Sequence, residues 1–303
     1  MTVLQDRPKV IVLMKGGIGN QIFCYAAARR LTLVNAADLV IDDVSGFAVD
    51  KLYQRKYYLD HFNIAGRPAT VKERLKRPII IHRNWMRIIN RWRPFFKRTY
   101  LEDRHLSFDS RLLDFQVKGT LYLDGYWQSE NYFKDIENVI KKDLAFKPSF
   151  DPYTEELACK IEGCTAIAIH RRWFDPSGEN YTHNLPFNYY VQAIEKIERQ
   201  VPNGIFFLFS DQPTLAAQEL SYLGKRLVVV ERNNNRDYTC DDLWLMSKCQ
   251  HFIIANSTFS WWGAWLGEKE GSIVIAPDVK ITGITAWGFP GLIPERWQKL
   301  SVS

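Results

Sequence analysis

Between residues 165 and 276, five short apolar runs alternate with stretches of helical spacing, and this alternation restricts the fold more than any other feature of the chain. The runs are TAIAIH (165–170), IFFLFS (205–210), RLVVV (226–230), HFIIA (251–255) and SIVIA (272–276), and the helical stretches are 188–200, 213–223, 241–248 and 259–267. Strand-length runs without polar alternation, separated by helices, predict a parallel sheet covered on both faces. A similar start stands at the N-terminus. KVIVLM (9–14) breaks at Gly16, Gly17 and Gly19 into a helical pattern over 20–34, and DLVID follows from Asp38, which makes a βαβ unit. LYLDGYW (121–127) predicts another strand, followed by a helix that Ser129 caps, with Tyr132, Phe133, Ile136, Val139 and Ile140 on one face. The middle of this half, up to about residue 120, shows no regular pattern. Pro148 and Pro152 bracket a polar turn that sets the boundary, so two Rossmann-like domains are expected, 1–148 and 149–303.

Composition removes several classes. Apolar residues make up 46% of the 303 and charged residues 24%, which is globular usage and excludes disordered and low-complexity chains. No apolar window is long enough to span a bilayer, and MTVLQDRPKV lacks the apolar stretch of a signal peptide, so a soluble, unprocessed chain is expected. The five cysteines form no CxxC pair, which argues against a disulfide framework or thiolate zinc and suits a reducing cytoplasm. No two Asp residues stand two apart, so the arrangement that could hold a divalent cation between diphosphate oxygens is absent; no metal is expected, and protein groups must neutralise an anionic ligand. The net charge of +6 is local in origin: eleven Lys or Arg face the single acid Glu73 between Arg67 and Arg98, leaving the rest of the chain at −4. Trp85, Trp92, Phe95 and Phe96 lie in the same segment. Its plain reading is a solvated helical face with the aromatics turned inward; its sharper reading is contact with an anionic surface such as a membrane. Nucleic acid is not expected, since no recognisable nucleic-acid module is present.

Ligands of parallel α/β sheets sit beyond the carboxyl ends of the strands. Four polar clusters follow strands: KGGIGNQ (15–21), HRRWFDPSGENYTH (170–183), SDQ (210–212) and NSTFSWW (256–262), all expected to face one interdomain cleft. Gly17, Gly19, Asn20 and Gln21 form a glycine turn at a helix start, suited to phosphate oxygens. It is not a dinucleotide fingerprint, because Ile22 fills the place of a third small residue, although Asp42 stands where an acid could meet a ribose. A nicotinamide-dependent oxidoreductase is therefore a minor alternative. Arg171 and Arg172 follow His170 at the end of a buried strand, where adjacent guanidiniums need an anion or carboxylates. Phosphate is the economical partner, and Asp175 or Glu179 of the same loop are the structural alternative. Asn256, Ser257, Thr258, Phe259 and Ser260 open a helix whose NH groups could meet an anion, or merely be capped. Asp241 and Asp242 begin the preceding helix, where acids are favoured in any case, and one could accept from a purine NH pair.

Together these clusters resemble the inverting α-1,2-fucosyltransferases of glycosyltransferase family 11. The stretches that carry the resemblance are GGIGNQIFCYAAARRL (16–31), LDHFNI (59–64), LDGYWQSENYF (123–133), FLFSDQP (207–213), DLWLMSKCQHFIIANSTFSWWGAWLG (242–267) and IVIAP (273–277). They span most of the chain outside 67–115. The resemblance implies a GT-B fold, GDP-L-fucose as donor, no cofactor, and a galactoside acceptor attacked through its 2-hydroxyl. It also implies roles: Arg172 on the diphosphate, Asn20 in the loop over the donor, Asp242 on guanine, and Ser257, Thr258 and Ser260 facing the β-phosphate. The family's HxRRGD reads HRRWFD here, so Arg172 matches the first arginine and Trp173 replaces the second, whereas a one-residue gap would align Arg171 and Arg172 with the pair. Asp175 keeps the carboxylate position and is the first candidate base; Glu179, His183 and Asp211 are the others. With Gly17, Gly19, Gln21, His170, Asn256 and Phe259, these residues complete the candidate site. The basic segment could bring a cytoplasmic enzyme to the inner membrane face and a lipid-linked glycan.

Overall fold

The computed structural model describes residues 7–147, 150–174, 183–231, 236–283 and 286–302. The chain divides into two compact units, Met1–Lys147 with Pro290–Leu292, and Pro148–Phe289 with Ile293–Ser303.

The N-terminal unit runs β1 (Lys9–Leu13), α1 (Ile18–Val34), β2 (Asp38–Asp42), β3 (Arg67–Pro68), α2 (Ile79–Arg91), β4 (Tyr100–Glu102), β5 (Thr120–Asp124) and α3 (Glu137–Asp143). Its five-stranded sheet has the order β3-β2-β1-β5-β4, with every pair parallel. Ile11, Leu13, Val40, Tyr100 and Tyr122 form one buried face, against which Ile79 and Met86 of α2 pack. The segment without a legible pattern thus holds an edge strand on each side of the sheet and a helix. Ser129 caps a single 3-10 turn, Glu130–Tyr132, through a 3.3 Å bond from Asn131 N, and the expected helix starts only at Glu137.

The C-terminal unit follows as α4 (Pro152–Glu162), β6 (Ala166–Arg171), α5 (Phe187–Glu198), β7 (Ile205–Ser210), α6 (Pro213–Glu219), β8 (Leu227–Val229), α7 (Thr239–Ser247), β9 (His251–Ile253), α8 (Thr258–Gly267), β10 (Val274–Asp278) and β11 (Gln298–Ser301). The sheet order is β11-β10-β9-β6-β7-β8, again all parallel. Pro152 is not in a turn. It opens α4, and Asp151 caps that helix by accepting from Thr154 N at 2.9 Å, because proline at the first helical position gives up no needed NH. Ile167, Ile169, Phe206, Leu208, Ile253 and Ile275 pack on α5 through Tyr189, Tyr190, Ile194 and Ile197. α7 and α8 lie together, and Gly263 permits it: a Cβ there would stand 2.3 Å from Met246 Sδ. Trp261, Trp262 and Trp265 of α8 are fully buried, each contributing roughly 2–3 kcal/mol of apolar burial.

Candidate active site

Successive strand residues face opposite sides of a sheet, and at the end of β6 this separates three neighbours. Arg171 shares the face of Ile167 and Ile169. Its guanidinium donates to both oxygens of Glu219 (2.9 and 3.2 Å) and to the Leu185 carbonyl (2.7 Å), with Trp173 and Tyr190 rings 4.1 and 4.9 Å from it. Its side chain is 6% exposed. Arg171 therefore has a structural commitment, and its partner is Glu219 on α6 rather than an acid of its own loop. Trp173 covers that guanidinium. Arg172 stands just beyond the strand, 30% exposed, and pairs with Asp211 at 3.0 Å. Asp211 also accepts from Trp173 N at 3.1 Å, and burial raises its carboxyl above the ordinary range despite Arg172.

His170 is buried on the other face, with its ring 5.2 Å from Phe259 of α8. Its Nδ1 has no hydrogen-bond partner among the described residues. Burial, reinforced by Arg172, lowers its pKa to about 3, so the imidazole is neutral. Asn256, beyond the adjacent strand β9, repeats the pattern: Nδ2 donates to His183 O at 2.8 Å, but the buried Oδ1 has no partner among the described residues. A buried polar atom left unpaired costs about 1–3 kcal/mol, so two at neighbouring strand ends are unspent binding capacity. Ser257 caps α8, its Oγ accepting from Phe259 N at 3.3 Å, and Ser260 Oγ donates to Ser257 O at 3.2 Å. The first turn of this ten-residue helix, which opens with Thr258, contains no acid, so its partial positive charge is not neutralised locally. In α7, Asp241 is buried and spent: it accepts from Thr154 Oγ1 at 3.4 Å and lies 3.7 Å from Arg236, while Asp242 is half-buried. Asp175 and Glu179 lie outside the described residues.

In the N-terminal unit, the loop before α1 is built from the backbone. Gly16 has φ +74°, a left-handed backbone conformation that favours glycine. Gly17 is the residue before α1, Gly19 lies in its first turn, and no side chain caps the helix. Gln21 is fully buried and holds the loop: it donates to Gly16 O and Lys56 O (2.9 and 2.8 Å) and accepts from Tyr58 N (2.9 Å). Asn20 is half-buried and accepts from Gln128 at 2.7 Å. Asp42 is buried, accepting from the Tyr122 hydroxyl and from Val44 N and Ser45 N, which leaves it no reach to a ribose.

A profile described as Glycosyl transferase family 11 matches residues 9–281. The chain belongs to glycosyltransferase family 11. Among relatives, it is 31% identical over 288 residues to the O-antigen biosynthesis glycosyltransferase WbnK of Escherichia coli, covering 87% of this chain and 92% of the relative. It is 28% identical over 304 residues to an alpha-1,2-colitosyltransferase of the same species, covering 96% and 98%. The fold matches the crystal structure of the NodZ alpha-1,6-fucosyltransferase soaked with GDP-fucose, with TM-score 0.54 over 86% of this chain and 93% of that one, at 18% identity. The fold class expected for a family 11 glycosyltransferase, α/β of GT-B type, is the one these parallel units have. Glu219 and Gln128 were missing from the sequence-based site. The parity of AIAIHR, which puts Arg171 with Ile167 and Ile169, was the available signal for a committed arginine; nothing local points to Gln128.

Proposed function

We propose that this family 11 enzyme transfers L-fucose from GDP-β-L-fucose to the 2-hydroxyl of a terminal galactose, with inversion to an α-1,2 linkage and without a metal. The observation that carries the reading is the set at the ends of β6 and β9: Arg172 partly open, and His170 Nδ1 and Asn256 Oδ1 without partners among the described residues, beside the N-terminus of α8. The acceptor oxygen attacks the anomeric carbon opposite the diphosphate, the bond from that carbon to the β-phosphate oxygen breaks, and GDP leaves with the electron pair. Arg172 and the amides opening α8 take up the charge growing on the β-phosphate, a contribution that commonly dominates such steps. The hydroxyl proton passes to a carboxylate, with Asp175 the first candidate and Asp211, whose raised pKa makes it a stronger base, the second. Asp242 would accept from guanine, and Asn20 would sit over the donor.

The test is incubation with GDP-fucose and a panel of terminal β-galactosides in EDTA, followed by linkage analysis. An α-1,2 product supports the reading; a requirement for manganese, or another linkage, overturns it. Similarity to a colitosyltransferase favours a second reading in which the linkage is kept and the transferred sugar is colitose. Competing the two activated sugars in one reaction separates them.

A further inference from the structure

Helix α2 is inside out. Its stripe facing the N-terminal unit contains Ile79, Arg83, Met86 and Asn90, and only Ile79 and Met86 of these meet the apolar cluster. Arg83 reaches inward to the fully buried Asp124 (2.6 and 2.9 Å), and Asn90 Oδ1 accepts from Thr99 N and Tyr100 N. The opposite stripe, spaced four, three and four residues apart, is Ile81, Trp85, Ile88 and Trp92, exposed by 66, 55, 62 and 84%. Of the aromatics expected to turn inward, Trp85, Trp92 and Phe96 turn out, while Phe95 is half-buried with its ring edge-on to the buried Phe115. A buried ion pair holds this orientation, since rotating the helix to hide the tryptophans would pull Arg83 from Asp124 and leave that buried carboxylate with Lys15 as its one close cation among the described residues.

What surrounds the stripe selects its occupant. Lys76 and Arg77 precede it and Arg91 and Lys97 follow it, all exposed and none with an ion-pair partner among the described residues. The one acid of the segment, Glu73, is bound to Arg67, Lys9 and Thr70. A second copy of this chain would set two such basic surfaces against each other, which disfavours self-association. An apolar stripe with Trp and Ile, bordered by cations alone, fits the headgroup region of an anionic bilayer, where the rings enter the acyl boundary and Lys and Arg meet lipid phosphates. Thirteen residues rise only about 20 Å, so the helix lies in the interface, and no helix among the described residues is long and apolar enough to cross. We infer that α2 docks the protein on an anionic phospholipid membrane surface, an inference independent of which sugar is transferred.

The experiment is co-sedimentation of the full chain with phosphatidylcholine vesicles, with or without phosphatidylglycerol. Wild type should bind the anionic vesicles at least about tenfold better and lose that binding as salt rises from about 0.05 to about 0.5 M. Trp85→Ser with Ile88→Ser and Trp92→Ser, and separately Lys76→Glu with Arg77→Glu, should each lower partition about tenfold or more. Both variants should unfold at the wild-type temperature, since they change exposed groups only. Three results would overturn the inference: wild type staying in the supernatant, variants sedimenting as wild type does, or light scattering that shows a dimer which the serine variant dissolves while anionic vesicles fail to bind wild type.

Discussion

Two carboxylates that end strands of the N-terminal sheet and two polar side chains at strand ends of the C-terminal sheet are treated in opposite ways, although Trp127 Nε1, just beyond β5, is also buried without a partner among the described residues. In the N-terminal unit, Asp124 ends β5 fully buried and accepts from Lys15 (2.7 Å), Arg83 and the Tyr100 hydroxyl, while Asp42 ends β2 with Tyr122 and two backbone NH groups. In the C-terminal unit, His170 and Asn256 are as deeply placed, yet each keeps an atom without a partner among the described residues. A satisfied buried group supports the fold; an unsatisfied one lowers stability and is retained where a ligand completes it. The first set serves stability; for the second we propose donor binding, and the division can be broken at either end.

The largest expected effect is on the stability side. Asp124→Ala leaves Lys15 and Arg83 without their shared anion, and urea unfolding should show a loss of about 3–5 kcal/mol. Next are the adjacent arginines. Arg172→Ala should cut transfer at least about a hundredfold, roughly 3 kcal/mol at the transition state, while stability moves by less than about 1 kcal/mol. Arg171→Ala should invert that pattern, costing roughly 2–3 kcal/mol of stability because Glu219, itself partly exposed, and the Leu185 carbonyl lose their donor. If both variants behave alike in both assays, the division between them fails. His170→Phe, which removes an unpaired polar atom, should leave stability unchanged or raise it by up to about 1 kcal/mol, while weakening GDP binding by about tenfold. Calorimetry with GDP and a thermal melt read the two effects.

A further effect is a slope with pH. His170 binds its proton near pH 3 when folded and near 6.5 when unfolded, so between those values the unfolded state holds more protons. Stability from this group is complete above about pH 6.5 and falls as pH drops below it. Asp124 acts lower. Burial alone would raise its carboxyl, but Lys15 and Arg83 outweigh burial and hold it well below the ordinary range, so its contribution is lost only once pH falls beneath the unfolded value near 4. Removing His170 should flatten the wild-type curve between pH 6.5 and about 4.5 and leave the steeper acid limb.

How much of this was legible depended on where the determining contacts lie. Runs such as IFFLFS and HFIIA carry their burial in sequence, so the alternation that builds the C-terminal unit reads directly, as does the βαβ start. β3 and β4 have two and three residues and draw on β2 and β5 for pairing, and no local pattern marks them. α2 has a clear apolar period, yet periodicity does not say which face turns inward when a buried carboxylate elsewhere claims an arginine. The same distance hides Arg171's partner, 48 residues away on α6. Of the candidate site, His170, Arg172, Asn256, Ser257 and Phe259 do gather at the ends of β6 and β9 and the start of α8. Gln21 and Arg171 are of the right type but fully engaged with their own unit.

The most direct measurement is a crystal structure of the GDP complex grown in EDTA. The account predicts the diphosphate within hydrogen-bond reach of the Arg172 guanidinium and the amides opening α8, with His170 Nδ1 and Asn256 Oδ1 each acquiring a partner from nucleotide or ordered water. GDP bound elsewhere, or both atoms still unpaired beside it, would contradict it.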